Sequence, residues 1–209
     1  MPAITVTGIP RQALRTGTSI HRIFRRFDAD GRRRGPWFFS SAGAATAGRF
    51  DLAPPHGTCY FASTPVGAWL EVFRGARLVD PIDVRRRHLA TATRSGSPLR
   101  LGDLASPRAA AAGVSVDLAA TSDYGPTQSL ATALHERGDD GVRALLRHDP
   151  SGASRNVALF GHAGAPSRQF GWRVARSEPW RDAALMRELS SIGIHVAEIP
   201  YDVPVDSPT

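Results

Sequence analysis

The sequence contains no lysine; every one of its 26 basic residues is arginine. A Walker-type phosphate loop needs a GK[ST] ending, so its absence excludes that class of nucleotide-binding protein outright. Cys59 is the single cysteine, which excludes disulfides within the chain and any cysteine-rich zinc site. None of the seven histidines falls in an HxxxH or HExxH arrangement, so no metal site is expected. No GxGxxG follows a strand-like segment, and a Rossmann dinucleotide fold is therefore not expected. No unbroken apolar run reaches the eighteen residues a spanning helix needs. The first residues lack a charged start followed by an apolar block, so no secretory signal is read and a cytoplasmic location is the default expectation.

What is present fits a globular chain. Its 209 residues suit one domain with an added arm, and 42% apolar against 22% charged residues can build a core. The formal net charge is +7. Two arginine triplets stand out, at residues 32–34 and 85–87. A run of like charge most often marks a solvated loop surface. A basic surface also attracts polyanions, and here NAD and RNA fit equally well.

Short strands and helices mix along the chain without a regular βαβ repeat, which indicates an α+β fold. Residues 1–17 read as an irregular leader. A first strand follows at 19–24, with Ile20, Arg22 and Phe24 on one side. Residues 28–47, rich in Gly, Arg, Ser and Ala, read as a loop long enough to act as a flap. A strand at 58–62 precedes a helix whose start is marked by Thr64 as cap and Pro65 in the first position. Val66, Trp69, Leu70 and Phe73 give that helix one apolar stripe, and Gly75 offers a stop. Further expected elements are a strand at 76–80, a short helix at 107–112, and a helix capped by Thr127. A hairpin of strands at 142–147 and 156–160 follows, then a helix at 179–192 and a strand at 194–199.

Four side chains are candidates for chemistry. Glu71 lies roughly 150° from the helix's apolar stripe, so its carboxylate faces either solvent or a cleft. Arg22, between Ile20 and Phe24 on one strand face, suits a buried phosphate or carboxylate, or an edge strand with one wet face. Arg49 follows the glycine-rich loop and could grip a phosphate or stand in solvent. Tyr60 fits core packing, or stacking on a nicotinamide or adenine ring.

Taken in order, HRIF (21–24), GRFD (48–51), CYFASTPVGAWLEVF (59–73) and YGPTQSLATAL (124–134) resemble the RES domain family. The eleven-residue step from Tyr60 to Glu71 belongs to that resemblance, as do Gly141-Val142 and Leu159-Phe160. It spans about residues 18–162 and leaves 163–209 as a helix-strand extension of the same domain.

The resemblance implies an ADP-ribosyltransferase-like fold, with two small sheets flanking a cleft for NAD. It implies an enzyme that breaks the nicotinamide–ribose bond of NAD by hydrolysis or phosphorolysis, with NAD as substrate, inorganic phosphate as co-substrate in the second case, and no metal. Many members are toxins held by an antitoxin, some form homodimers, and some relatives transfer ADP-ribose to protein. Under it, Arg22 and Arg49 would hold the pyrophosphate or an attacking phosphate, Tyr60 the nicotinamide end, and Glu71 the nicotinamide ribose. Thr127 and Arg147 are secondary candidates for contact with NAD. One departure stands out, because a serine expected in the strand after the Thr127 helix is replaced near Leu146. A RES-like binder without activity and a basic nucleic-acid module remain the alternatives, although no recognition motif for nucleic acid is present.

Overall fold

The run of apolar residues at 59–62, buried on both faces, builds the strand on which the rest is hung. The structure, a computed structural model, describes residues 4–44, 47–115, 118, 123–166 and 168–197. Strand β3 (His56–Ala62) pairs antiparallel with β8 (Arg155–His162) along its whole length, Tyr60 opposite Ala158. β8 continues to β7 (Gly141–Leu145), β7 runs parallel to β6 (Leu99–Asp103), and β6 carries β1 (Arg11–Leu14) at the edge.

On its other side β3 meets β2 (Ser19–Arg25) at one pair only, His21 opposite Ala62. β2 pairs fully instead with β5 (Arg87–Arg94), which carries the edge strand β9 (Trp172–Ser177). The eight-stranded sheet, in order β1-β6-β7-β8-β3-β2-β5-β9, is therefore two wings joined at one rung, matching the expected pair of small sheets. A short parallel pair, β4 (Leu78–Val79) with β10 (His195–Val196), stands apart.

Helix α1 (Pro65–Phe73) begins as its sequence dictates, the Thr64 hydroxyl accepting from Gly67 N–H at 2.9 Å. It ends at Arg74, in the left-handed conformation at φ 51°, with Gly75 behind it. Its buried side, Val66, Trp69 and Leu70, packs with Ile23 and Ala62 of the sheet and with Leu185 and Leu189. Trp69 is fully buried, and truncating such a side chain to alanine costs about 3–5 kcal/mol. Leu146, where a hydroxyl was looked for, belongs to this same apolar cluster. A short helix α2 (Pro81–Arg85) follows β4.

Several local expectations are corrected. Residues 11–14 of the supposed leader form β1, and Arg11 is tied at 2.6 Å to Asp139, whose side chain is fully buried. Helix α3 (Gly125–Glu136) starts two residues before Thr127, because Pro126 suits its first turn. Thr127 is buried within that turn, its hydroxyl donating to the Tyr124 carbonyl at 3.0 Å rather than capping. The single helix expected at 179–192 is broken. A 3-10 turn (Pro179–Arg181) leads to Asp182, whose carboxylate accepts from Ala184 and Leu185 N–H and starts α4 (Ala183–Ser191). The end of the strand expected at 194–199 lies outside the described residues.

Candidate active site

The GRFD stretch is a tight loop that buries Phe50 in the core and holds Arg49 beside it. Asp51, fully buried, accepts from Gly48 N–H at 2.7 Å and closes the loop on itself. The Tyr60 hydroxyl donates to the other Asp51 oxygen at 2.7 Å and accepts from Phe50 N–H at 2.8 Å. Gln128, from the first turn of α3, donates to the Gly48 carbonyl at 3.0 Å. Gly48 is required here, since a Cβ at that position would lie 2.4 Å from the Tyr60 hydroxyl. Burial first, and the Asp51 carboxylate second, push the Tyr60 hydroxyl well above its ordinary range, so it stays a neutral donor.

Arg49, thus held, is only 8% exposed. Burial lowers its pKa, and the electrostatic influence of Glu71, Tyr60 and Tyr124 counters that shift. Glu71 comes from the far side of α1. Burial raises its pKa, while the Arg49 guanidinium, the Arg147 backbone N–H and the Arg147 side chain pull it back. One carboxylate oxygen, Oε1, is buried without a hydrogen-bond partner. A buried acceptor in that condition costs about 1–3 kcal/mol and is a poor choice for structure alone. Arg147, just past β7, is exposed, and its charge acts on Glu71 and on Arg49.

A cavity of about 230 Å³ adjoins Arg49 and Phe50. Its walls are mostly apolar, with Leu104, Val114, Leu118 and Ala144 among them. Ligand pockets commonly run about 300–1,000 Å³, so this hollow has room for one flat ring rather than a whole dinucleotide.

The fold thus gathers Arg49, Tyr60, Glu71 and Arg147, and brings the start of α3 alongside. Arg22 is not brought to them. Side chains alternate across a strand, and Arg22 leaves β2 on the side of Cys59 and Phe61, opposite Tyr60 and α1. Its guanidinium donates to the Pro36 carbonyl at 2.9 Å, to the Phe38 carbonyl and to the Cys59 sulfur, and lies over the Phe61 ring. It therefore fills the wedge where β2 and β3 part, and ties down the loop that ends at Gly48. The Thr127 hydroxyl is also spoken for, by its own helix.

Sequence reasoning did not single out Asp51, Gln128 or Tyr124. Asp51 and Gln128 are letters of the quoted GRFD and TQSL segments, but no spacing rule says that one loop joins them. Tyr124 acts on Arg49 electrostatically through tertiary placement alone.

A family model for the RES domain matches residues 19–182. No curated protein matches the chain significantly. Among solved structures, a chain of the M. tuberculosis MbcT–MbcA toxin–antitoxin complex is similar in fold at 17% sequence identity. The match covers 86% of this chain and 92% of that one, with a TM-score of 0.56.

Proposed function

Since the chain belongs to the RES domain family, we propose that it is the toxin of a toxin–antitoxin pair that cleaves the nicotinamide–ribose bond of NAD. The observation that carries this reading is the half-buried Glu71 carboxylate, within electrostatic reach of Arg49 and Arg147, with one buried oxygen lacking a partner. NAD offers the complement, a pyrophosphate for guanidinium groups and a ribose whose hydroxyls can donate to a carboxylate.

The chemistry follows from where charge appears. As the bond from the ribose C1′ to the nicotinamide nitrogen breaks, the electron pair leaves with nicotinamide and positive charge builds on the ribose. A fixed carboxylate stabilises that charge more in the transition state than in the ground state, which is what accelerates the step. The oxygen of water or of inorganic phosphate then bonds to C1′, and a water nucleophile releases its proton to solvent.

In this reading Glu71 serves the ribose and Arg49 and Arg147 hold phosphate. Tyr60 is a positioning residue, because its hydroxyl is committed to Asp51 and Phe50 and so fixes Arg49. Arg22 acts through the loop it anchors, and Thr127 through the start of α3. The partner is an antitoxin protein, and the compartment is the cytoplasm, where NAD is at hand.

The test is to incubate the purified protein with NAD, with and without inorganic phosphate, and to separate the products. Free nicotinamide with ADP-ribose indicates hydrolysis, and nicotinamide with phosphorylated ADP-ribose indicates phosphorolysis. ADP-ribose bound to protein indicates transfer. NAD left intact under all conditions overturns the reading.

A further inference from the structure

The two arginine triplets, fifty residues apart in sequence, meet in the fold. The chain leaving β2 doubles back at residues 28–32, where the Asp28 carboxylate accepts from the N–H groups of Asp30 and Arg32. It returns with Phe27 bridged to Arg33 and with Arg34 N–H donating to the Arg26 carbonyl. Arg26 N–H in turn donates to the Arg86 carbonyl, so the second triplet lies directly alongside. A cavity of about 350 Å³ opens between the end of β2 and the second triplet, lined by Arg25, Arg26, Phe27, Asp28, Arg85 and Arg86.

This arrangement is electrostatically unfavourable as it stands. Arg25 sits directly opposite Arg87 across two paired strands, and like charges so placed destabilise a sheet. Six of the arginines, at 25, 32, 33, 34, 85 and 86, are exposed. Of the carboxylates close by, Glu178 is shared between Arg26 and Arg181, Asp30 lies 3.9 Å from Arg32, Asp28 accepts from backbone N–H groups, and Asp83 acts on Arg87. Arg26 Nε is buried with no hydrogen-bond partner. An anion in the cavity would offset the charge of the arginines that line it.

Phe27 selects the kind of anion. It stands 46% exposed in the cavity wall between cationic neighbours. Alternating aromatic and guanidinium groups match a nucleic-acid strand, whose bases stack while its phosphates pair. Beyond the cavity, the exposed Arg32 and Arg34 flank the bridge residue Arg33 and extend the row of cations. An acidic peptide would match the arginines but leave the aromatic unused. We propose that this basin binds the phosphate backbone of single-stranded nucleic acid, with Phe27 as a stacking platform, separately from the Arg49–Glu71 site.

The test is fluorescence anisotropy of a labelled oligouridylate over a range of salt concentrations, using the full chain. Replacing Arg25 and Arg86 together by Gln is expected to weaken binding at least about tenfold. It should also lower the slope of log affinity against log salt by roughly 1.4, since each lost phosphate contact on a single strand is worth about 0.7. Phe27→Ala should weaken binding about tenfold with the slope unchanged. Replacing the exposed Arg15 and Arg100 by Gln removes the same charge elsewhere and should change affinity less than about twofold. The proposal is overturned if that control weakens binding as much as the basin variant, if the basin variant keeps the full slope, or if a polyglutamate peptide competes as well as the oligonucleotide. Nicotinamide release from NAD, where it occurs, should be unchanged in the basin variants, so the two sites fail or stand independently.

Discussion

Two groups of arginines in this protein look alike in sequence and differ in physics. Around Glu71, Arg49 is buried, placed by a braced loop, and set against a carboxylate that is itself short of a partner. Around Arg25 and Arg87, exposed guanidinium groups face one another with few free counter-charges. Counter-charge and desolvation separate a site that can stabilise a developing charge from a surface that gathers polyanions. Neither property is written in the arginine itself.

Removing a charge first from one group and then from the other should separate the two most clearly. Arg49→Ala should cut nicotinamide release from NAD about 10²–10³-fold, the scale of losing a preorganised charge contact, whereas Arg86→Ala leaves it within about twofold. Steady-state kinetics on the two variants checks this.

The brace behind Arg49 comes next. Gly48→Ala forces a carbon to within 2.4 Å of the Tyr60 hydroxyl, and should cost about 1–3 kcal/mol of stability together with a loss of turnover. Tyr60→Phe should lower stability by about 1–3 kcal/mol, because buried Asp51 loses a donor. Denaturant unfolding followed with and without NAD measures both. An unchanged turnover in Tyr60→Phe at reduced stability would show that Arg49 holds its place without the hydroxyl.

A smaller effect concerns pH. Burial raises the Glu71 pKa above that of an ordinary glutamate, so its contribution to stability is full at acid pH and is lost as pH rises through that folded value. Glu71→Gln should therefore melt above wild type at neutral pH, with the gap closing as the pH is lowered. Because the carboxylate must be charged to work, wild-type turnover should begin to fall at a higher pH than an ordinary glutamate would impose. The smallest effect belongs to the other group. Arg25→Gln removes the like-charge pair with Arg87 and should raise stability by about 0.2–1 kcal/mol at low salt, less at high salt.

The segments legible in sequence are those where pattern and punctuation agree. β3, α1 with its Thr64-Pro65 start, and the β7–β8 hairpin all carry strong apolar periodicity or a cap. β5 reads as RHLATATR, with small Ala and Thr where bulky side chains would signal a strand, and was not foreseen. β9 is an edge strand, with Arg173 and Arg176 exposed, so no buried face advertises it. β1 shows only Leu14 to the core and is held by Arg11 on Asp139, a contact across 128 positions.

The site divides in the same way. Arg49, Tyr60 and Glu71 could be picked out through the family resemblance, and the fold gathers them. The direction in which Arg22 leaves its strand depends on register, and β2 touches β3 at one pair only. The bracing of Arg49 by Asp51 and Gln128 joins residues 77 positions apart, with the loop between them.

The central claim is that the carboxylate of Glu71 acts on NAD held by Arg49. Its most direct test is the rate of nicotinamide release by wild type and by Glu71→Gln, at neutral pH and with both proteins shown to be folded. Release by wild type and a loss of at least about a hundredfold in the variant are expected. A variant that releases nicotinamide at the wild-type rate would contradict the claim.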